Sequence, residues 1–70
     1  MSEFVKTQQE LRANLVHQIR ETIDSAEAES RGLAADELEK IDRIEADIRR
    51  ADEAIEVAQR NEERRAEAEE

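Results

Sequence analysis

The stretch Ile41-Asp42-Arg43-Ile44-Glu45-Ala46-Asp47-Ile48-Arg49-Arg50-Ala51-Asp52-Glu53-Ala54-Ile55-Glu56-Val57-Ala58 decides how this chain folds. Its apolar residues Ile41, Ile44, Ile48, Ala51, Ile55 and Ala58 recur at alternating steps of three and four. That spacing puts them on one narrow stripe of an α-helix, the a/d seam of a heptad repeat. Ile41, Ile48 and Ile55 take the a positions, and Ile44, Ala51 and Ala58 the d positions. Outside the seam, Asp36–Lys40, Glu39–Arg43, Glu45–Arg49 and Glu56–Arg60 set an acid four residues before a base. Each such pair adds about 0.2–0.5 kcal/mol to an exposed helix. The second half of the chain therefore reads as a helix with one sticky stripe and a charged exterior.

The composition around this stretch narrows the possibilities. The chain has 70 residues, 44% of them charged, a net charge of -9, and no Pro, Cys, Trp or Tyr. High charge with few aromatics is also the signature of disorder, but a disordered acidic segment has no reason to hold a heptad register. A chain this short buries only about 60% of its unfolded surface, and here just 37% of residues are hydrophobic. Disulfides cannot make up the shortfall, so partners are the expected supplement. No enzyme pocket, catalytic residue, cofactor or small-molecule substrate is expected, because the apolar volume is too small to wall off a site. The acidic balance disfavours nucleic acid and anionic membranes as partners. The start of the chain is polar, with no apolar run of signal-peptide length.

The first half is helical by composition but less regular. Phe4, Leu11, Leu15, Ile19, Ile23 and Ala26 follow steps of mostly four, with Val5 and Val16 broadening the stripe. Such a stripe drifts around the helix and suits packing in a bundle. The single glycine, Gly32, marks the break: it is expected to take the left-handed conformation after Arg31, with Leu33 folding back on Ala28. Ala34 then becomes the N-cap of the second helix and Glu37 its N3 residue, with Leu33 and Leu38 as a hydrophobic staple. Ala34 is a poor cap because it lacks a side-chain acceptor; Asp36 and Glu37 compensate at the positive end of the helix dipole. The expected fold is all-α, a two-helix antiparallel hairpin or coiled coil that self-associates. Its helices span about residues 3–30 and 35–60, with a turn at 31–34. Residues 61–70 carry no large apolar side chain and read as a charged helical extension or connector.

Around the turn, residue type and spacing combine. The run Arg31-Gly32-Leu33-Ala34-Ala35-Asp36-Glu37, followed by Ile41-Asp42-Arg43-Ile44-Glu45-Ala46-Asp47-Ile48 and then Ile55, resembles the N-terminal scaffolding (delta) domain of tailed-phage major capsid proteins of the Hong Kong 97 type. Members of that family often carry Thr or Ser at the Ala34 position, an aromatic at Ile41 and Leu at Ala51. The resemblance covers residues 31–55, and before that extends only to a preceding amphipathic helix. It implies a segment inside the immature shell, in the bacterial host cytoplasm, that associates with neighbouring copies. It also implies guidance of procapsid assembly followed by proteolytic removal. On this reading the partners are copies of the chain itself or a capsid protein, and the chain is either a piece of a longer capsid protein or a free-standing scaffold or decoy. A soluble coiled-coil adaptor or regulator unrelated to capsids is the other reading the residues allow.

The remaining conspicuous residues read as surface. His17 stands four residues before Glu21, with no second His and no Cys to complete a metal shell. Arg49-Arg50 and Arg64-Arg65 read as parts of a charged helix face. Glu45, Asp47 and Asp52 flank the seam and would oppose their own copies in a parallel homodimer, so an antiparallel arrangement is favoured. The seam then packs on the first helix, on other chains, or on both.

Overall fold

The computed structural model describes residues 2–69; Met1 and Glu70, which the expected domain limits include, lie outside the described residues. Two helices make up the fold, α1 (Glu3–Ala28) and α2 (Ala35–Glu69), joined by a short turn and packed along their length as an antiparallel hairpin. Helix α1 starts because Ser2, in extended conformation, accepts a hydrogen bond from the Val5 N–H at 3.1 Å through its side chain. Helix α2 runs unbroken to Glu69, so residues 61–69 continue it as a charged helical extension beyond the hairpin end expected near residue 60. With a rise of ~1.5 Å per residue, α2 is longer than α1 by more than 10 Å. Its last turns are exposed and project beyond the start of α1.

The buried residues identify the register. Val5, Leu15 and Ala26 of α1 and Ile44 and Ala51 of α2 form the core. Across the helices Arg12 Nε donates to Asp52 Oδ1 at 2.5 Å. In that register Val5 faces Ala58, Arg12 faces Ala51, Leu15 faces Ile48, and Ile19 faces Ile44. The inward stripe of α1 is therefore Val5, Gln8, Arg12, Leu15, Ile19, Thr22 and Ala26, again in steps of three and four. This differs from the stripe that hydrophobicity picks out. Leu15 and Ile19 turn inward, whereas Phe4, Leu11 and Ile23 sit on the flanks, each more than a third exposed. The physical reason is the partner helix: α2 keeps a strict heptad seam, and α1 matches it only by a stripe of the same period, even though Gln8, Arg12 and Thr22 fall on it.

The turn is also built differently from expectation. The left-handed residue is Ser30, at φ 52°, and Gly32 has no positive φ. Helix α1 ends in a Schellman motif: Arg31 N–H donates to Ala26 O at 3.1 Å and Ser30 N–H to Glu27 O at 3.0 Å. Ser30 thus occupies a position where any Cβ costs about 1 kcal/mol. Ser30→Gly is expected to stabilise the chain by up to about 1 kcal/mol, read as a higher midpoint in thermal unfolding. A Cβ at Gly32 meets nothing within 4 Å. Gly32→Ala should accordingly be neutral, or stabilising by a few tenths of a kcal/mol, since it stiffens the unfolded chain. A large loss from Gly32→Ala would contradict the turn geometry.

Candidate interaction surface

Among the described residues, no His, Asp and Glu side chains cluster as a metal site. Among the described residues no helix is long and apolar enough to cross a membrane. His17 Nε2 lies 2.6 Å from Glu21 Oε1, with both side chains exposed. What the fold presents instead is a clamped turn, an occupied seam and two partly apolar flanks.

The turn clamp centres on Glu37. Its Oε1 accepts from the Ala34 N–H at 2.9 Å, the half of a capping box that an Ala cap still permits. Arg31 grips the same carboxylate with two nitrogens, Nη1 to Oε1 at 2.6 Å and Nη2 to Oε2 at 3.2 Å. Arg31 also donates to Glu29 and to the Gly32 carbonyl, tying the end of α1 to the start of α2. The Arg31 hydrogen bond, helped by the Ala34 N–H, holds the Glu37 carboxyl at about 2, below its ordinary 4.5. A carboxyl lowered on folding stabilises the fold above its ordinary pKa and loses that contribution as pH falls through the folded value. Glu37→Gln, which keeps an acceptor but removes the charge, should therefore be less stable than the parent above pH 4.5. The gap between the two melting curves should narrow as pH falls toward 2. A gap independent of pH would mean that the Arg31 charge does not hold this turn.

The α2 seam is largely taken up by α1. Ile44 and Ala51 are buried, while Ile41, Ile48, Ile55 and Ala58 are half-buried. Of the acids beside it, Asp52 pairs with Arg12 and Asp47 with Arg50. These exposed pairs are worth about 0–1 kcal/mol each. At the turn end, Leu33 is half-buried and Leu38 exposed, and Glu37 joins the two sides.

The apolar residues left outside the seam fall on its two flanks. In heptad terms Phe4 and Leu11 occupy g positions of α1, while Val16 and Ile23 occupy e positions. Phe4 is 48% exposed, Leu11 47% and Val57 46%. Phe4 borders an open groove of about 520 Å³ shared with Arg50, Glu53, Ala54, Val57 and Ala58 of α2. The groove was not visible as a site in the sequence because its residues lie nearly fifty positions apart; the signal for it was the pair of apolar residues, Phe4 and Val57, that no seam absorbs.

Fold and surface together define a class, the antiparallel two-helix coiled-coil hairpin with half-exposed apolar flanks. No family model, curated protein or solved structure matches the chain.

Proposed function

We propose that the chain is a non-enzymatic assembly module that self-associates and promotes phage procapsid assembly. The observation that carries the self-association is an imbalance in the hairpin. Among the described residues six large apolar side chains, Phe4, Leu11, Val16, Ile23, Leu38 and Val57, stay exposed, against three that are buried, Val5, Leu15 and Ile44. Each large aliphatic group moved from water into a packed interface contributes about 1.5–3 kcal/mol. A two-helix core this small is marginal by itself, so further copies both complete it and draw on its exposed flanks.

The capsid part of the proposal is supported by the resemblance over residues 31–55. The structure of that region fits a role as a reversible module: a turn clamped by exposed charged groups and a mostly polar exterior favour weak association over permanent assembly. The test is to join the chain to a capsid body of the resembling type and score particle formation with and without it. Loss of closed particles on deletion is the expected result; unchanged particles would sink the capsid role and leave a self-associating adaptor.

A further inference from the structure

The charge of the hairpin is not spread evenly around it. Heptad rows c and g of the two helices share the flank that carries Phe4, Leu11, Ala54 and Val57. Along those rows the acids are Glu21, Asp36 and Asp47. The bases are Lys40, Arg43, Arg50 and Arg64, so three acids meet four bases and the flank is close to neutral. The opposite flank, rows b and e, holds three bases, Lys6, Arg20 and Arg49. Against them stand six acids, Glu27, Asp42, Glu45, Asp52, Glu56 and Glu63. The outward f rows are more acidic still, with Arg60 the one base among Glu3, Glu10, Asp24, Glu39, Glu53 and Glu67. A chain of net charge -9 thus turns one nearly neutral apolar flank outward, and the groove beside Phe4 lies on it.

We infer that this c/g flank, built around Phe4, Leu11 and Val57, is a docking face for a second copy of the same chain, giving a two-fold antiparallel four-helix bundle. The inference rests on the self-association proposed above and names the surface that performs it. Three observations select this occupant and this face. Copies meeting through the b/e or f rows bring acid against acid, whereas the c/g rows carry three acids and four bases and so oppose a second copy with little net charge. Arg50 and Glu53 rim the groove one helical turn apart, so a two-fold axis beside them sets each Arg50 near the other copy's Glu53. Among the described residues Arg50 pairs with Asp47, at 2.8 Å on the exposed surface of its own helix, a weak tie that a partner can replace. The area is also sufficient. Helix α1 is about 39 Å long and the flank of a helix pair about 20 Å wide, or roughly 800 Å² per copy, the size of a standard stable interface.

The full chain has no cysteine, so single cysteines report on each flank cleanly. Leu11 and Ala13 stand on α1 at the level of Arg50 and Glu53, both exposed, Leu11 in row g and Ala13 in row b. Under mild oxidation at a concentration where the chain is dimeric, Leu11→Cys is expected to form disulfide-linked dimers and Ala13→Cys to remain uncrosslinked. By sedimentation equilibrium, Phe4→Glu and Val57→Glu should each weaken the dimer about tenfold or more, while Val16→Glu on the opposite flank leaves it unchanged. All three positions are nearly half exposed, so helicity at high dilution should stay at the parent's level and separate lost docking from lost folding. Cross-linking through Ala13 in place of Leu11, or dissociation by Val16→Glu in place of Phe4→Glu, overturns this face and leaves self-association standing. A chain that is monomeric at every concentration overturns the face and the self-association beneath it.

Discussion

Ile44→Asp is expected to leave the chain mostly unfolded at room temperature, with helical circular dichroism falling to a small fraction of the parent's. Ile44 is buried at the middle of the hairpin, facing Ile19 across the seam, and no basic side chain occupies the neighbouring layers. A carboxylate there is desolvated without a partner, a cost of about 3–5 kcal/mol. A two-helix core with so few buried side chains sits at the low end of the usual stability per residue, about 4 kcal/mol for this length, so one substitution removes nearly all of it. Ile48→Asp should do less harm, since Ile48 is half-buried and its carboxylate can lean toward water. Ile44→Ala, which removes apolar contact without adding charge, should fall between, at about 2–4 kcal/mol. Thermal melts of the three variants check the order; an Ile44→Asp chain that melts like the parent would show that the seam is not the core.

The second large effect runs in the opposite direction. Gln8→Leu combined with Thr22→Leu should raise the melting midpoint by about 5–15 °C, because each replacement completes a layer that is now only half apolar. Gln8 faces Ile55 and Thr22 faces Ile41 in the register set by Arg12 and Asp52, and all four residues are half-buried. The Thr22 hydroxyl donates back to the Gln18 carbonyl, at 3.0 Å, a tie within one helical turn that contributes little. Truncations sharpen the same point. Leu15→Ala, inside the seam, should cost about 2–4 kcal/mol, while Leu11→Ala, on the flank, should cost less than about 1 kcal/mol under conditions where the chain is monomeric. Equal losses at the two positions would return the α1 stripe to the one that hydrophobicity alone suggests.

The difference between those two leucines explains how the hairpin is specified. In α2 the apolar residues and the inward positions coincide, so periodicity locates them without a partner. In α1 they diverge: Gln8, Arg12 and Thr22 lie inward while Phe4, Leu11, Val16 and Ile23 lie on the flanks. Ala51 makes this workable, because a small residue opposite Arg12 leaves room for its stem to cross the interface and for its guanidinium to reach exposed Asp52. The polar layers hold the stability low, and the displaced apolar groups supply surface for other copies.

From residue order alone came the helical class, the α2 seam from Ile41 to Ala58, the break near residue 32, and Ala34 with Glu37 as the start of the second helix. These depend on interactions between residues a few positions apart, which composition and spacing report directly. The register of α1, the left-handed Ser30, the Arg31 clamp on Glu37 and the groove beside Phe4 were settled only by the tertiary structure. Each depends on residues brought together by the turn, where the strict period of α2 outweighs the local hydrophobicity of α1. Ser30 rather than Gly32 takes the left-handed position because α1 ends at Ala28, in phase with the helix it must pack against.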